Sequence, residues 1–187
     1  DDYIVDGEQV PYHLIDICEP GYRFNVYEFQ CAFQNAYMDI TARHRMPIMC
    51  GGTGLYIESV LKSYELGQVR FPERKSLTIG LKIDRDLRRE KITRRLKARL
   101  QEGMIEEVQT LLKTVSAERL IRYGLEYKYV TLYCTGQLSY DEMFRQLEIA
   151  IHQFAKRQMT WFRGMEERRG IPIHWIDATL TKKKKVR

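Results

Sequence analysis

The stretch MPIMCGGTGLYI (residues 46–57) decides the fold. Within it, residues 47–50 form a short apolar run, a glycine-rich turn follows, and residues 55–66 have helical character. A strand, a tight glycine turn and a helix in this order are typical of α/β architectures that bind phosphate groups. We therefore expect a buried strand at 47–50 and a helix directly after the turn.

The turn itself is a candidate anion site. Backbone N–H groups at a helix start attract anions, and glycines such as Gly51 and Gly52 let a ligand approach the backbone closely. Thr53 adds a hydroxyl group at the first helical turn. A Gly-Gly pair before a helix can equally be a simple tight connection. The sequence contains no GxxxxGK[ST] motif, so the usual triphosphate cradle is absent from it.

Hydrophobic periodicity places the other elements. The apolar residues between Asn25 and about Arg43 recur at helical spacing, and Asn25 is a suitable N-cap. Ser139 and Glu142 form a capping box before another helix. The remaining predicted elements are a brief extended segment at 13–17, a strand at 77–84, a basic helix over 85–113 interrupted near Gly103, helices over 126–134 and 139–163, and an edge strand over 171–176.

The predicted helix over 139–163 separates apolar from cationic residues. On a helical wheel the apolar side, which we expect in the core, consists of Met143, Leu147, Ala150, Ile151, Phe154 and Trp161. The opposite side, called here the cationic ridge, consists of Arg145, His152, Lys156 and Arg163, with Gln153, Arg157 and Thr160 beside it. Such a ridge is either an ordinary solvated surface or a surface that meets phosphate groups.

Composition limits the class of protein. A chain of 187 residues with 44% apolar content is expected to form one compact domain. The sequence has no run of about 20 apolar residues and starts with acidic residues, so we expect a cytosolic protein. The four cysteines stand far apart, which predicts reduced and mostly buried thiols, with Cys50 in the core.

Charge is distributed unevenly along the chain. Residues 1–69 carry a net charge of −6 and residues 70–100 a net charge of +8, within an overall +6. This asymmetry indicates an anionic partner on one side of the molecule. Five of the positive charges lie in the terminal run Lys182–Arg187, so net charge alone does not establish nucleic-acid binding.

Four stretches in order resemble the tRNA dimethylallyltransferase family. They are PYHLIDI (11–17), MPIMCGGTGLYI (46–57), DRDLRREKITRRLKARLQEGMIEEV (84–108) and QFAKRQMTWFRG (153–164). The resemblance implies an α/β fold: a P-loop-NTPase-like core with a parallel sheet flanked by helices, and a mostly helical C-terminal half. It also implies transfer of a dimethylallyl group from dimethylallyl diphosphate to the exocyclic amine of the adenine next to the tRNA anticodon.

The chain departs from the family pattern in two places. The family begins with a nucleotide-binding P-loop and a general-base aspartate, and this sequence starts downstream of both. The family also carries a helical insertion that grips the anticodon stem-loop, which is not evident here. We therefore expect residues 1–66 to form part of the catalytic core, 67–76 to mark the missing insertion, 77–178 to complete the core and C-terminal helices, and 179–187 to form a disordered basic tail.

The resemblance also assigns residues. Thr53 would act at the reaction centre, and Gly51, Gly52 and Lys128 would bind diphosphate, although Glu126 departs from the family's usual Gly-Tyr-Arg or Gly-Tyr-Lys. The expected tRNA contacts are Lys156, Arg157, Arg163, Gln153 and Gln158. Mg²⁺ is the implied cofactor, no protein metal ligand is predicted, and we expect a monomer. A noncatalytic RNA-binding fragment, or an isopentenyltransferase acting on free adenine nucleotides, stays open.

Overall fold

The computed structural model describes residues 4–5, 7–19, 21–62 and 75–180. The chain forms two compact units, Asp1–Arg74 and Lys75–Arg187, and each is described by itself. The expected insertion site at 67–76 lies almost wholly outside the described residues.

The first unit packs two helices against each other. A short antiparallel hairpin joins β1 (Ile4–Val5) to β2 (Glu8–Gln9). Helix α1 (Val26–Ala42) and helix α2 (Gly54–Leu61) follow it. The fully buried Gln30 of α1 donates a hydrogen bond from Nε2 to the Ser59 carbonyl oxygen of α2 at 3.0 Å. The rings of Phe29 and Tyr56 stack with centroids 4.5 Å apart, so polar and aromatic contacts hold the two helices together.

The start of α1 confirms the predicted cap. The Asn25 side chain accepts a hydrogen bond from the Glu28 N–H at 2.9 Å, and the Glu28 carboxylate accepts one from the Asn25 N–H at 2.9 Å. This reciprocal pair satisfies backbone donors that have no partner inside the helix. Tyr22 also donates a short hydrogen bond to Glu28, which lowers the pKa of Glu28 and raises the pKa of Tyr22.

Two predictions for this unit are wrong. Residues 47–50 form no strand, Ile48 is 79% exposed, and Cys50 is exposed as well. An apolar run becomes a strand only when a neighbouring strand satisfies its backbone groups, and residues 47–50 pair with no described strand. Residues 13–17 are likewise bent, because Leu14 and Asp16 have φ values of 62° and 57°.

The second unit combines a small parallel sheet with helices. Strand β3 (Ile79–Lys82) pairs in parallel with β4 (His174–Asp177), with Ile79 opposite His174. The helices are α3 (Arg85–Arg99), α4 (Ile105–Leu111), α5 (Ala117–Leu120), α6 (Leu125–Cys134) and α7 (Tyr140–Glu167), and a π-helical segment (Leu100–Met104) joins α3 to α4. The predicted fold class, an α/β core with parallel strands and a mostly helical C-terminal half, is confirmed.

The core of this unit lies between α3, α4, α6 and α7. Its buried side chains are Leu96, Leu100, Met104, Val108, Leu120, Val130, Met143 and Leu147. Fully burying an apolar side chain of this size contributes about 1.5–3 kcal/mol. Thr93 of α3 also donates a hydrogen bond to Glu148 of α7 at 2.5 Å, so the two helices are joined at a polar edge as well.

The predicted break in the basic helix is confirmed at Gly103. Its φ of 100° lies in the left-handed region that favours glycine, and it falls inside the π-helical segment. The break lets Arg99 and Glu107, on opposite sides of it, form an ion pair at 2.7 Å.

The ends of the last elements differ slightly from prediction. Helix α7 continues to Glu167, and the edge strand is shifted to His174–Asp177, beyond Pro172, which cannot donate to a ladder. Trp175 of β4 donates from Nε1 to Glu166 at 2.9 Å, which fastens the strand to α7. Thr179 hydrogen-bonds to Asp177 in a turn, and residues 181–187 lie outside the described part of the chain.

Candidate functional site

The glycine turn in the first unit leads directly into α2. Thr53 is the N-cap of α2, and its carbonyl oxygen accepts from the Tyr56 and Ile57 N–H groups at 3.1 and 3.2 Å. Its exposed side chain makes no capping hydrogen bond. The hydroxyl of Thr53 is thus not committed to its own helix, and it stands where the first N–H groups of a helix attract anions.

The two glycines before Thr53 are open to solvent to different degrees. Gly51 is exposed and Gly52 is half-buried. A Cβ atom added at Gly51 would lie 3.6 Å from the Ile57 side chain, an ordinary contact distance. The backbone at Gly51 is therefore accessible to a ligand, although the described contacts alone would also tolerate alanine there.

Lys128, the predicted diphosphate contact in the second unit, is exposed on α6. Its Nζ lies 5.2 Å from the centroid of the Tyr129 ring, a cation–π distance. Gly124 begins this helix with a φ of 147°, a conformation that side chains rarely adopt. Gly124 thus starts the helical turn that carries Lys128, the residue to which the family resemblance assigns a diphosphate contact.

A hydrogen-bonded triad positions α6. Tyr127, next to Lys128, donates from its hydroxyl to Glu107 of α4 at 2.5 Å, and Glu107 also pairs with Arg99 of α3. The hydrogen bond from Tyr127, followed by the contact with Arg99, lowers the pKa of Glu107, and the same carboxylate raises the pKa of Tyr127. Three helices are joined at this carboxylate, which fixes the direction in which α6 presents its first turn.

The predicted cationic ridge is formed by α7. Arg145, Lys156 and Arg163 are exposed and His152 is half-buried. Within the described ranges, neither Lys156 nor Arg163 has an acidic partner at ion-pair distance. Their charge is therefore available to an anionic ligand. Gln153 and Arg157 are exposed beside the ridge, and Gln158 is half-buried.

The prediction that Phe154 lies in the core is wrong. Met143 and Leu147 on the same side of α7 are fully buried, but Phe154 is 46% exposed. The Arg157 guanidinium carbon lies 5.9 Å from the centroid of its ring. A helical wheel gives the direction of a side chain, but it does not show whether another element covers that direction. This exposed aromatic residue was missed as a functional candidate for that reason.

The structure groups the predicted residues by unit. Gly51, Gly52 and Thr53 adjoin one another in the first unit. Lys128 and the predicted tRNA contacts lie in the second unit, on helices α6 and α7, which pack together. The roles assigned to these residues stay predictions.

No acidic or thiol-rich metal cluster occurs among residues 4–5, 7–19, 21–62 and 75–180, since no three His, Cys, Asp or Glu side chains there converge. The four cysteines are free, as predicted, but three are half-buried and one is exposed, so the expectation of mostly buried thiols is wrong. In the same ranges, no helix is both long and apolar enough to span a bilayer.

An α/β core, an exposed helix start and a helix whose exposed cations have no ion-pair partner among the described residues are typical of the class of proteins that bind phosphorylated ligands. The sequence profile of the IPP transferase family matches residues 5–76 and 67–165. The chain belongs to the IPP transferase family.

Individual relatives agree with this assignment. The tRNA dimethylallyltransferase 1 of Parabacteroides distasonis is 49% identical over 244 aligned positions, which cover 99% of this chain and 79% of the relative. The tRNA dimethylallyltransferase 2 of Phocaeicola vulgatus is 48% identical and covers 100% and 80%. The crystal structure of a tRNA isopentenylpyrophosphate transferase from Bacillus halodurans superposes with a TM-score of 0.78 at 26% identity, covering 95% of this chain and 75% of that one.

Proposed function

We propose that this chain transfers a dimethylallyl group from dimethylallyl diphosphate to the exocyclic amine of the adenine next to the anticodon in tRNA. The observation that carries the proposal is the 49% identity, over almost the whole chain, to a relative named tRNA dimethylallyltransferase. We further propose that the protein works as a monomer in the cytoplasm, where its tRNA substrate is processed.

The chemistry assigns a task to the glycine turn. The adenine amine attacks the allylic carbon, a C–N bond forms, the C–O bond to diphosphate breaks, and the amine loses a proton to a base. The Thr53 hydroxyl, which caps no backbone group of its own helix, would donate to a diphosphate oxygen as negative charge develops there. The N–H groups near Gly51 and Gly52 would bind the same diphosphate as Thr53. Lys128, in the second unit, stays a separately proposed diphosphate contact.

A magnesium ion fits this chemistry if it arrives bound to the diphosphate. Mg²⁺ keeps several waters and is commonly held by substrate phosphates with one or two protein oxygens, so a converging acidic cluster is not required. In the glycine turn, the Thr53 hydroxyl is an oxygen atom that could bind the magnesium ion. When bound, the ion would neutralise charge on the departing diphosphate.

The cationic ridge suits the tRNA backbone. Each lysine or arginine that meets a phosphate releases counterions, so its contribution depends on salt. Lys156 and Arg163 are exposed and lack ion-pair partners among the described residues, so no internal pair must break before they bind. Arg157, Gln153 and Gln158 would add contacts beside them.

The region around 67–76 is where we propose that relatives carry an additional segment. The two matches of the family profile, residues 5–76 and 67–165, meet there. The alignment with the Parabacteroides distasonis relative also extends over 244 positions, more than the 187 residues of this chain. The meeting of the two profile matches supports an insertion at this point, and the alignment length supports additional residues within the matched span of the relative.

The test is incubation of the protein, its mass verified, with dimethylallyl diphosphate, Mg²⁺ and unmodified tRNA, followed by mass analysis of the nucleosides. A dimethylallyl adenosine product is expected. Free adenosine monophosphate should stay unmodified in a parallel reaction. Salt-dependent tRNA binding without any product would refute the proposed transfer and favour a noncatalytic RNA-binding protein.

Substitution of Thr53 tests the role proposed for the glycine turn. Thr53→Ala should lower the single-turnover rate about 10²-fold or more, the usual effect of losing a donor to developing charge, and leave tRNA affinity unchanged. Thr53→Ser keeps the hydroxyl and should retain most of the rate. An alanine variant as fast as the wild type would remove Thr53 from the reaction centre.

A further inference from the structure

Phe154, in the middle of the apolar side of α7, is exposed among the described residues. Leu147 and Met165 are fully buried, and Phe154 lies between them on the same side of the helix at 46% exposure. At about 1.5 Å per residue, the two buried positions are roughly 27 Å apart along the axis. The apolar side is thus buried at Leu147 and Met165 and exposed at Phe154, where the described residues do not cover the ring fully.

The surroundings of Phe154 are polar and planar. Arg157 and Gln158 follow it by three and four residues, so both are its neighbours on the helix surface. The Arg157 guanidinium stands over the ring at 5.9 Å from the centroid. One further turn along, Trp161 has a buried indole N–H with no acceptor among the described residues. One side of α7 therefore carries the Phe154 ring, the Arg157 guanidinium group and the indole N–H donor of Trp161.

We propose that Phe154 is a stacking surface for an unpaired base of the RNA substrate, with the Arg157 guanidinium closing over the base. This inference rests on the proposed action on tRNA. An aromatic ring beside a cation is the arrangement that binds unpaired nucleotides, because every base offers a π-face and the guanidinium stacks on it or meets its phosphate.

A base between Arg157 and Phe154 requires the arginine side chain to move outward. The Arg157 guanidinium carbon lies 5.9 Å from the ring centroid, and the exposed side chain of Arg157 can rotate to open the face of the ring.

The exposure of Phe154 favours a base over the prenyl chain. A five-carbon chain binds well only where water is excluded and most of its surface is covered. The Phe154 ring is nearly half exposed and carries a charged neighbour. A planar base can stack on such a ring while its edges stay in contact with water.

The test measures the affinity of the protein for a fluorescent anticodon stem-loop RNA. Phe154→Ala should weaken binding about 5- to 150-fold, the equivalent of 1–3 kcal/mol per stacked base. Phe154→Leu, which is apolar but has no π-face, should weaken it similarly, and Phe154→Tyr should bind like the wild type. Ile149→Ala is the matched control, because Ile149 is 48% exposed on the same helix.

Two further measurements separate stacking from other roles. Phe154→Ala should leave the slope of log affinity against log salt unchanged, whereas Lys156→Gln should reduce it by about 0.7–0.9. An abasic site scanned through the RNA loop should weaken wild-type binding at one position and have no effect there in Phe154→Ala. Thermal unfolding of Phe154→Tyr and the wild type should coincide.

The outcomes are distinguishable. If the wild type neither binds nor modifies the RNA, the proposed function fails and the stacking role fails with it. If the wild type is active but Phe154→Ala keeps its RNA affinity, the stacking role alone is refuted. A rise in KM for dimethylallyl diphosphate with unchanged RNA affinity would refute it too, by placing Phe154 against the prenyl chain.

Discussion

The carboxylate of Glu107 should stabilise the second unit measurably. It accepts a hydrogen bond from Tyr127 at 2.5 Å and forms an ion pair with Arg99 at 2.7 Å. Glu107→Gln keeps the shape but removes the charge. The hydrogen bond then falls from the charged class, worth about 1.5–3 kcal/mol, to the neutral class, worth about 0.5–1.5 kcal/mol. The half-exposed ion pair adds about 0.5 kcal/mol after solvent screening. The expected loss is about 1.5 kcal/mol.

Tryptophan fluorescence during urea unfolding can measure this loss. Both tryptophans of the chain, Trp161 and Trp175, lie in the second unit, so the signal reports on that unit. A destabilisation of about 1.5 kcal/mol should lower Tm by roughly 6 °C for a unit of this size. Glu106→Gln, the exposed neighbour on the same helix, is the matched control and should change stability by less than about 0.5 kcal/mol.

A double-mutant cycle with Tyr127→Phe isolates the hydrogen bond. Glu107→Gln and Tyr127→Phe should be coupled by about 1 kcal/mol, because each removes the same charge-assisted contact. Coupling near zero would contradict the proposed triad.

The pH dependence follows from the lowered pKa of Glu107, caused first by the Tyr127 hydrogen bond. Folding favours the ionised carboxylate, so its contribution is present above the unfolded-state pKa and is lost as pH falls through the folded one. The stability difference between the wild type and Glu107→Gln should therefore disappear in acid. If the wild type stays more stable than Glu107→Gln at a pH far below the ordinary pKa of a glutamate, the charge of Glu107 is not the source of the stability difference.

Two other changes test the packing of the second unit. Gly80→Ala should destabilise the second unit by about 1–3 kcal/mol, because the new Cβ would lie 2.6 Å from the Trp175 ring and 2.8 Å from the Ile173 side chain. If the variant unfolds at the same urea concentration as the wild type, the Trp175 ring does not cover Gly80. Ser139→Ala should cost about 0.5–2 kcal/mol through loss of the α7 capping box, and Ser139→Asp should restore most of it; equal thermal stability of all three proteins would contradict a role for the cap.

Local patterns predicted the helices well. The caps at Asn25 and Ser139 and the break at Gly103 each follow from a side chain or a backbone preference within a few residues. Such features depend little on the rest of the molecule. The family resemblance implied a parallel sheet, but the pairing of β3 with β4 was not predicted, because the two strands are far apart in the sequence.

Features that depend on distant partners were not predicted. The run at 47–50 has strand-like composition, but composition does not supply the neighbouring strand it would need. The exposure of Phe154 depends on what packs against α7, and the contact between Glu107 and Tyr127 joins residues 20 positions apart. None of these is encoded in local periodicity. For the candidate site, the sequence indicated the residue types but not their surroundings.

The number of residues in the π-helical segment Leu100–Met104 sets the direction in which the following helix presents its side chains. Deleting a single residue there would favour a continuous α-helix and rotate everything after it by about 100°. Val108, now fully buried, would then turn away from the core, and Glu107 would lose Tyr127. Homologues of this protein should therefore vary in length in the connections between helices but keep a constant number of residues across Leu100–Met104.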